Sequence, residues 1–83
     1  MKLLYFAWVR QRTGVGEETV DLPDGLETVS DVIGWLKTRH EGFENAFGDE
    51  RVIRAAVDQA HAPLDTPIAG AREIAFFPPV TGG

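Results

Sequence analysis

The chain has 83 residues, 43% of them hydrophobic and 25% charged, and a formal net charge of −5. That is enough for one domain burying only about 60% of its unfolded surface, and the acidic balance argues against nucleic acid or an anionic membrane as a partner. There is no cysteine, which removes disulfides, thiolate metal sites and a Cys nucleophile, and no stretch approaches transmembrane length.

Residues 2–9 read as a strand rich in aromatic and branched side chains. Leu3, Tyr5, Ala7 and Val9 alternate with Leu4, Phe6, Trp8 and Arg10. Both sets are largely apolar, so Phe6 and Trp8 are expected near the surface, facing a partner or covered by a loop. This apolar start carries one charge and no small-residue cleavage site, which argues against a signal peptide. The chain is therefore expected to be cytoplasmic. Gln11 to Gly16 reads as a loop, and Glu17–Leu22 as a second strand and hairpin partner of the first. Pro23-Asp24-Gly25 signals a turn.

The main helix begins after Thr28, a candidate N-cap with Asp31 three positions on as a capping-box acid. Val29, Val32, Ile33 and Leu36 form a one-sided apolar stripe, extended by His40. Gly34 interrupts it at a cost of about 1 kcal/mol relative to Ala and suggests close packing on a sheet. Gly42 is the expected terminator. Phe43 to Phe47 suggests a short second helix closed by Gly48. Arg51–Asp58 reads as a third strand, with Asp58-Gln59-Ala60-His61 turning into a short fourth. His61 has no partners at metal spacing and receives no catalytic role. Leu64 to Ile68 is irregular, and Arg72–Phe77 is the last strand. There Ile74 and Phe76 share one face, and Ala75 and Phe77 the other, so only one of the two phenylalanines can enter the core.

An amphipathic helix must pack on one face of a small sheet, and the apolar first and last strands are the best central neighbours. The expected fold is α+β: a β-grasp, ubiquitin-like roll with a mixed sheet of four to five strands, one main helix and a short second helix. It divides into a domain over 1–77 and an extended tail over 78–83.

The tail is Pro78-Pro79-Val80-Thr81-Gly82-Gly83. Neither proline can donate to a sheet ladder, so the strand should stop at Phe77 and continue as a stiff stem. Fully extended, the tail reaches about 20 Å at roughly 3.3–3.6 Å per residue. Gly82 and Gly83 have no Cβ, so another protein's walls can close tightly around them. An α-carboxylate at Gly83 is ionised at neutral pH and a poor electrophile until activated.

The run Glu73 to Gly83, above all Phe-Phe-Pro-Pro-Val-Thr-Gly-Gly, resembles the end of the small subunit of molybdopterin synthase, a sulfur-carrier family. Tyr5-Phe6-Ala7 followed by Val9-Arg10 is similar to that family's start. Asp58-Gln59 and Gly70-Ala71-Arg72-Glu73 depart from the family's usual turns. The resemblance implies that Gly83 alone carries chemistry. It would be adenylated with ATP by a ubiquitin-activating-like enzyme, converted to a thiocarboxylate, and donate sulfur to cyclic pyranopterin monophosphate to form the molybdopterin dithiolene.

The resemblance further implies a sulfur-donating subunit that is not catalytic on its own, binding neither cofactor nor metal. Its partner would be a large subunit, in a two-plus-two heterotetramer. Pro78, Pro79, Val80, Thr81 and Gly82 would position the tail. Phe6, Arg10 and the outward one of Phe76 and Phe77 would meet the partner, although Arg10 reads equally as a solvated charge. Three alternatives stay open: a sulfur carrier for thiamin, tRNA thiolation or cysteine synthesis, a ubiquitin-like modifier passing Gly83 to a lysine, and a binding module whose tail is incidental.

Overall fold

The computed structural model describes residues 1–39 and 41–79. In chain order the elements are β1 (Lys2–Tyr5), α1 (Ala7–Thr13), β2 (Glu17–Thr19), α2 (Val29–Leu36), α3 (Glu41–Phe47), a 3-10 turn (Glu50–Val52), β3 (Arg54–Val57), β4 (Ala60–Ala62) and β5 (Glu73–Phe77). The strands form a single sheet in the order β2-β1-β5-β3-β4. β1 and β5 run parallel at its centre, and the remaining pairs are antiparallel. This is the expected β-grasp, with three helices where one main and one short helix were expected.

The extra helix comes from the stretch expected to prolong the first strand. β1 ends at Tyr5, and Ala7 turns the chain with φ 54°. An alanine seldom takes a left-handed conformation, so nothing in local propensity marks the turn. The stretch expected as a loop from Gln11 is helical to Thr13, and Gly14 (φ 78°) closes it, its N–H donating to the Arg10 carbonyl. The reason is tertiary: Val9 and Thr13, one helical turn apart, are both buried, and α1 packs against α3. β1 and β2 pair as expected, but the connection between them contains this helix and is not a loop alone.

The α2 start is as read. Thr28 Oγ1 accepts from the Asp31 N–H at 3.2 Å, and the Asp31 carboxylate accepts from the Thr28 N–H at 3.1 Å and the Glu27 N–H at 2.9 Å. These bonds hold the Asp31 carboxyl below the usual carboxylate range. The helix ends earlier than expected, at Leu36. The Trp35 carbonyl accepts from both the N–H (3.0 Å) and the hydroxyl (2.6 Å) of Thr38, which tightens the last turn. Gly42 is therefore inside α3 and terminates nothing. Beyond its own helix backbone and chain neighbours, no atom of the described residues lies within 4 Å of the position a Cβ on Gly34 would take, so that glycine is not there for close packing on the sheet. His40 lies outside the described residues.

Arg51 and Val52 belong to the 3-10 turn, whose cap is Asp49 accepting from the Arg51 N–H at 3.0 Å, so β3 starts only at Arg54. The β3–β4 connection is a two-residue turn with positive φ at both Asp58 (48°) and Gln59 (72°), the hairpin type that follows strand twist. Asp58 Oδ1 also accepts from the Arg72 and Glu73 N–H groups, at 2.9 and 3.0 Å, and so anchors the entry to β5.

The core lies between the helices and one face of the sheet. Its centre is an aromatic cluster in which Tyr5 and Phe76 stack at 6.0 Å and Phe47 meets Phe76 edge-on at 5.1 Å. Phe43 meets Tyr5 edge-on at 5.7 Å. Burial, and then the 2.8 Å bond from the Tyr5 hydroxyl to Glu18, push the Tyr5 hydroxyl far above its ordinary value. Glu18 also accepts from Arg39 at 2.6 Å, which ties β2 to the segment after α2. Among the described residues no helix is long and apolar enough to cross a membrane.

Candidate functional site

The tail leaves the sheet from its middle. β5 lies between β1 and β3, with Tyr5 opposite Phe76 and Arg54 opposite Phe77. Pairing ends at Phe77, where the donors run out at Pro78. A central, doubly paired strand is the most rigid root such a tail can have, because its backbone donors and acceptors are engaged on both sides.

Strand alternation separates the two phenylalanines. Phe76 is fully buried among Tyr5 and Phe47. It is a core residue and cannot meet a partner in the folded domain, which corrects its inclusion among the interface candidates. Phe77 is half-buried on the opposite face, its ring 5.1 Å from that of His61 on β4. That face carries a straight cross-strand row, Leu4, Ala75, Ala56 and His61. Ala56 and Ala75 lie outside the core cluster.

Phe6 is the residue at the turn between β1 and α1. Its N–H donates to the Phe76 carbonyl at 3.0 Å, so its backbone is fixed beside the end of β5 while its side chain is 49% exposed. Trp8 is half-buried, packed against the core with the Arg12 guanidinium 4.4 Å above its ring. Arg10 is exposed on α1 and lies over Gly16, where an added Cβ would come within 3.0 Å of the guanidinium carbon. Gly16 accepts from the Tyr5 N–H, so Arg10 stands at the same end of the sheet as the tail root. Pro78 and Pro79 are half-buried. Val80, Thr81, Gly82 and Gly83 lie outside the described residues.

Two residues at this end were not singled out from the sequence. Arg54, the first residue of β3, donates from one guanidinium nitrogen to the Arg51 and Ile53 carbonyls, both at 3.0 Å. Val52, just before it, is 39% exposed. The signal was present in part, since Arg54 interrupts an apolar run, but its position beside Phe77 depends on the β3–β5 register.

In chemical terms, the described part of this site is the end of a central strand flanked by exposed Phe6, Arg10 and Arg54 and half-buried Phe77. Among the described residues none of these four is arranged with a second group as an acid–base or nucleophilic pair.

The sequence pattern of the ThiS family matches residues 3–83. The chain is 34% identical over 83 residues to the "Molybdopterin synthase sulfur carrier subunit" of Escherichia coli (strain K12), covering 100% of this chain and 99% of that one. Its fold is similar to the crystal structure of SAMP1 from Haloferax volcanii, with a TM-score of 0.74 and 33% identity, covering 100% of this chain and 98% of that one. It is also similar to a crystal structure of H. volcanii small archaeal modifier protein 1, with a TM-score of 0.65 and 26% identity, covering 96% and 97%. With a tail rooted on the central strand and similarity that runs the length of the chain, the protein belongs to the ThiS family, together with the molybdopterin synthase sulfur carrier subunits.

Proposed function

We propose that this protein is the sulfur-carrier subunit of a molybdopterin synthase and that Gly83 is its reacting residue. The observation that carries this reading is the full-length similarity to a molybdopterin synthase sulfur carrier subunit, within a family pattern that runs to Gly83.

The chemistry follows from the inertness of a bare carboxylate. An oxygen of the Gly83 carboxylate attacks the α-phosphorus of ATP on a ubiquitin-activating-like enzyme, and pyrophosphate leaves. The terminal sulfur of a persulfide then bonds to the acyl carbon as AMP departs. A thiol cleaves the resulting acyl disulfide and leaves a thiocarboxylate. The charged tail enters the large subunit, which supplies the acid–base groups and the pterin contacts, and sulfur passes to cyclic pyranopterin monophosphate. A two-plus-two assembly in the cytoplasm is the expected setting. Pro78, Pro79, Val80, Thr81 and Gly82 keep the tail narrow, and the prolines lower the ordering cost of about 1–2 kcal/mol per residue.

The similarity to a small archaeal modifier protein favours one second reading, transfer of the same acyl-adenylate to a lysine. Intact-mass measurement after co-expression with the adenylating enzyme separates the two. One oxygen-for-sulfur exchange on Gly83 supports the carrier, and adducts on lysines support the modifier. An unchanged Gly83 refutes both. Complementation of a molybdenum-cofactor-deficient strain then distinguishes this pathway from thiamin, tRNA-thiolation and cysteine-synthesis carriers. A residue appended after Gly83 is expected to abolish sulfur transfer without lowering Tm. Retained activity with the extension intact would refute the terminal-carboxylate chemistry.

A further inference from the structure

Among the described residues the two exposed large hydrophobic side chains are Phe6 and Val52. They are 46 positions apart in sequence, yet the sheet order places them on either side of one strand end. Phe6 follows the last residue of β1, and Val52 lies two residues before the first residue of β3. β1 and β3 are the two neighbours of β5, whose end releases the tail. With strands about 4.8 Å apart, the β1 and β3 sides are roughly 10 Å from each other.

Each side also carries an arginine that pairs with no carboxylate among the described residues. The ion pairs of the described residues are Lys2–Glu17, Lys37–Glu50, Arg39–Glu18 and Arg51–Asp49. Arg10 and Arg54 are in none of them. Among the described residues Arg54 is held by carbonyls, at 3.0 Å to Arg51 and Ile53, so its orientation is fixed while no described carboxylate pairs with its charge. Arg10 is laid across Gly16. On a chain of net charge −5, cations that no described carboxylate pairs, on both sides of one strand end, make a local field opposite in sign to the whole. Such a field steers association with an acidic surface.

We propose that Val52 and Arg54, opposite Phe6 and Arg10, form a two-sided collar that docks on the protein receiving the tail, by apolar contact flanked by carboxylates on that protein's groove. The proposal rests on the tail-transfer reading above and adds the chemistry of the receiving face. The collar brings the receiver's groove into line with β5 before the tail enters. Val52 and Arg54 supply the β3 side, without which the grip would rest on β1 alone.

The test is titration of the protein against the large subunit of the same organism, and separately against its adenylating enzyme, at low and high ionic strength. Arg54→Glu and Val52→Ser are each expected to weaken binding to the large subunit at least about tenfold, and raised salt to weaken the wild type. Arg72→Glu makes the same change in net charge at the opposite end of β5 and is expected to stay within about twofold of wild type. Arg54→Met keeps the side-chain stem and guards against misfolding, with an unchanged Tm and a binding loss between wild type and Arg54→Glu. Wild-type binding by Val52→Ser and Arg54→Glu, alongside loss on deletion of Gly82 and Gly83, overturns the collar alone. Equal losses for Arg72→Glu and Arg54→Glu overturn it too, since net charge then accounts for the effect. A wild type that binds neither protein overturns the tail-transfer reading itself.

Discussion

Replacing each of the adjacent phenylalanines by alanine gives opposite outcomes. Phe76 is fully buried, stacks on Tyr5 at 6.0 Å and receives Phe47 edge-on at 5.1 Å. Phe76→Ala removes a whole core ring and leaves a cavity, a change that costs about 3–5 kcal/mol. The two aromatic contacts, about 0.5–1.5 kcal/mol each, place it toward the upper end. At roughly 0.05–0.15 kcal/mol per residue, a domain of 83 residues has about 4–12 kcal/mol in all. At about 4–8 °C per kcal/mol for this size, Tm should fall by about 12–40 °C. Phe77 is half-buried against His61. Half of the roughly 1.5–3 kcal/mol for full burial leaves about 1 kcal/mol for Phe77→Ala, with a Tm drop of about 4–8 °C and its main effect on partner binding. Circular-dichroism melts and urea titrations of the two variants are the assay. Equal Tm losses, or a Phe76→Ala protein as stable as wild type, would refute the assignment of one ring to the core and the other to the open face.

Gly34→Ala should stabilise by about 1 kcal/mol in urea titration, because an added methyl meets no described atom within 4 Å beyond its own helix backbone and chain neighbours; a loss of stability would reveal a contact that the backbone position does not show. Asp31 has its carboxyl held low by the Glu27 and then the Thr28 N–H groups. Its contribution is therefore full above the unfolded value of about 3.9 and lost as pH falls through the folded one. The Tm advantage of wild type over Asp31→Asn should be complete near about pH 6 and shrink as pH falls below the unfolded value. Tyr5 shifts the other way, through burial first and the Glu18 bond second. Its contribution is full below about pH 10 and falls as pH rises beyond that. Tyr5→Phe should cost about 1 kcal/mol at neutral pH and flatten the alkaline limb of the Tm–pH curve; an unchanged limb would show that Tyr5 ionises without opening the core.

Local chemistry in the sequence was sufficient for several elements. The capping box at Thr28 and Asp31, the stripe through Leu36, the turn at Asp58-Gln59 and the stop at Phe77-Pro78 each depend on neighbours within a few positions. Alternation alone said that just one of Phe76 and Phe77 could be buried. The β-grasp followed from the order of elements and from the two apolar strands that had to be central.

Tertiary structure decided the rest. Residues from Ala7 to Thr13 are helical because that conformation buries Val9 and Thr13 together while α1 packs on α3, and a strand pattern fits the same residues equally well in isolation. Which phenylalanine is buried depends on β5 register, since a shift of one position exchanges the faces. The candidate site divides in the same way. The tail and Phe6 could be read from composition and resemblance, whereas Val52 and Arg54 gain meaning only when pairing brings β3 beside β5. A linear chain records what each residue can do; the sheet sets which residues stand together at the tail root, because hydrogen-bonded register acts between segments far apart in sequence.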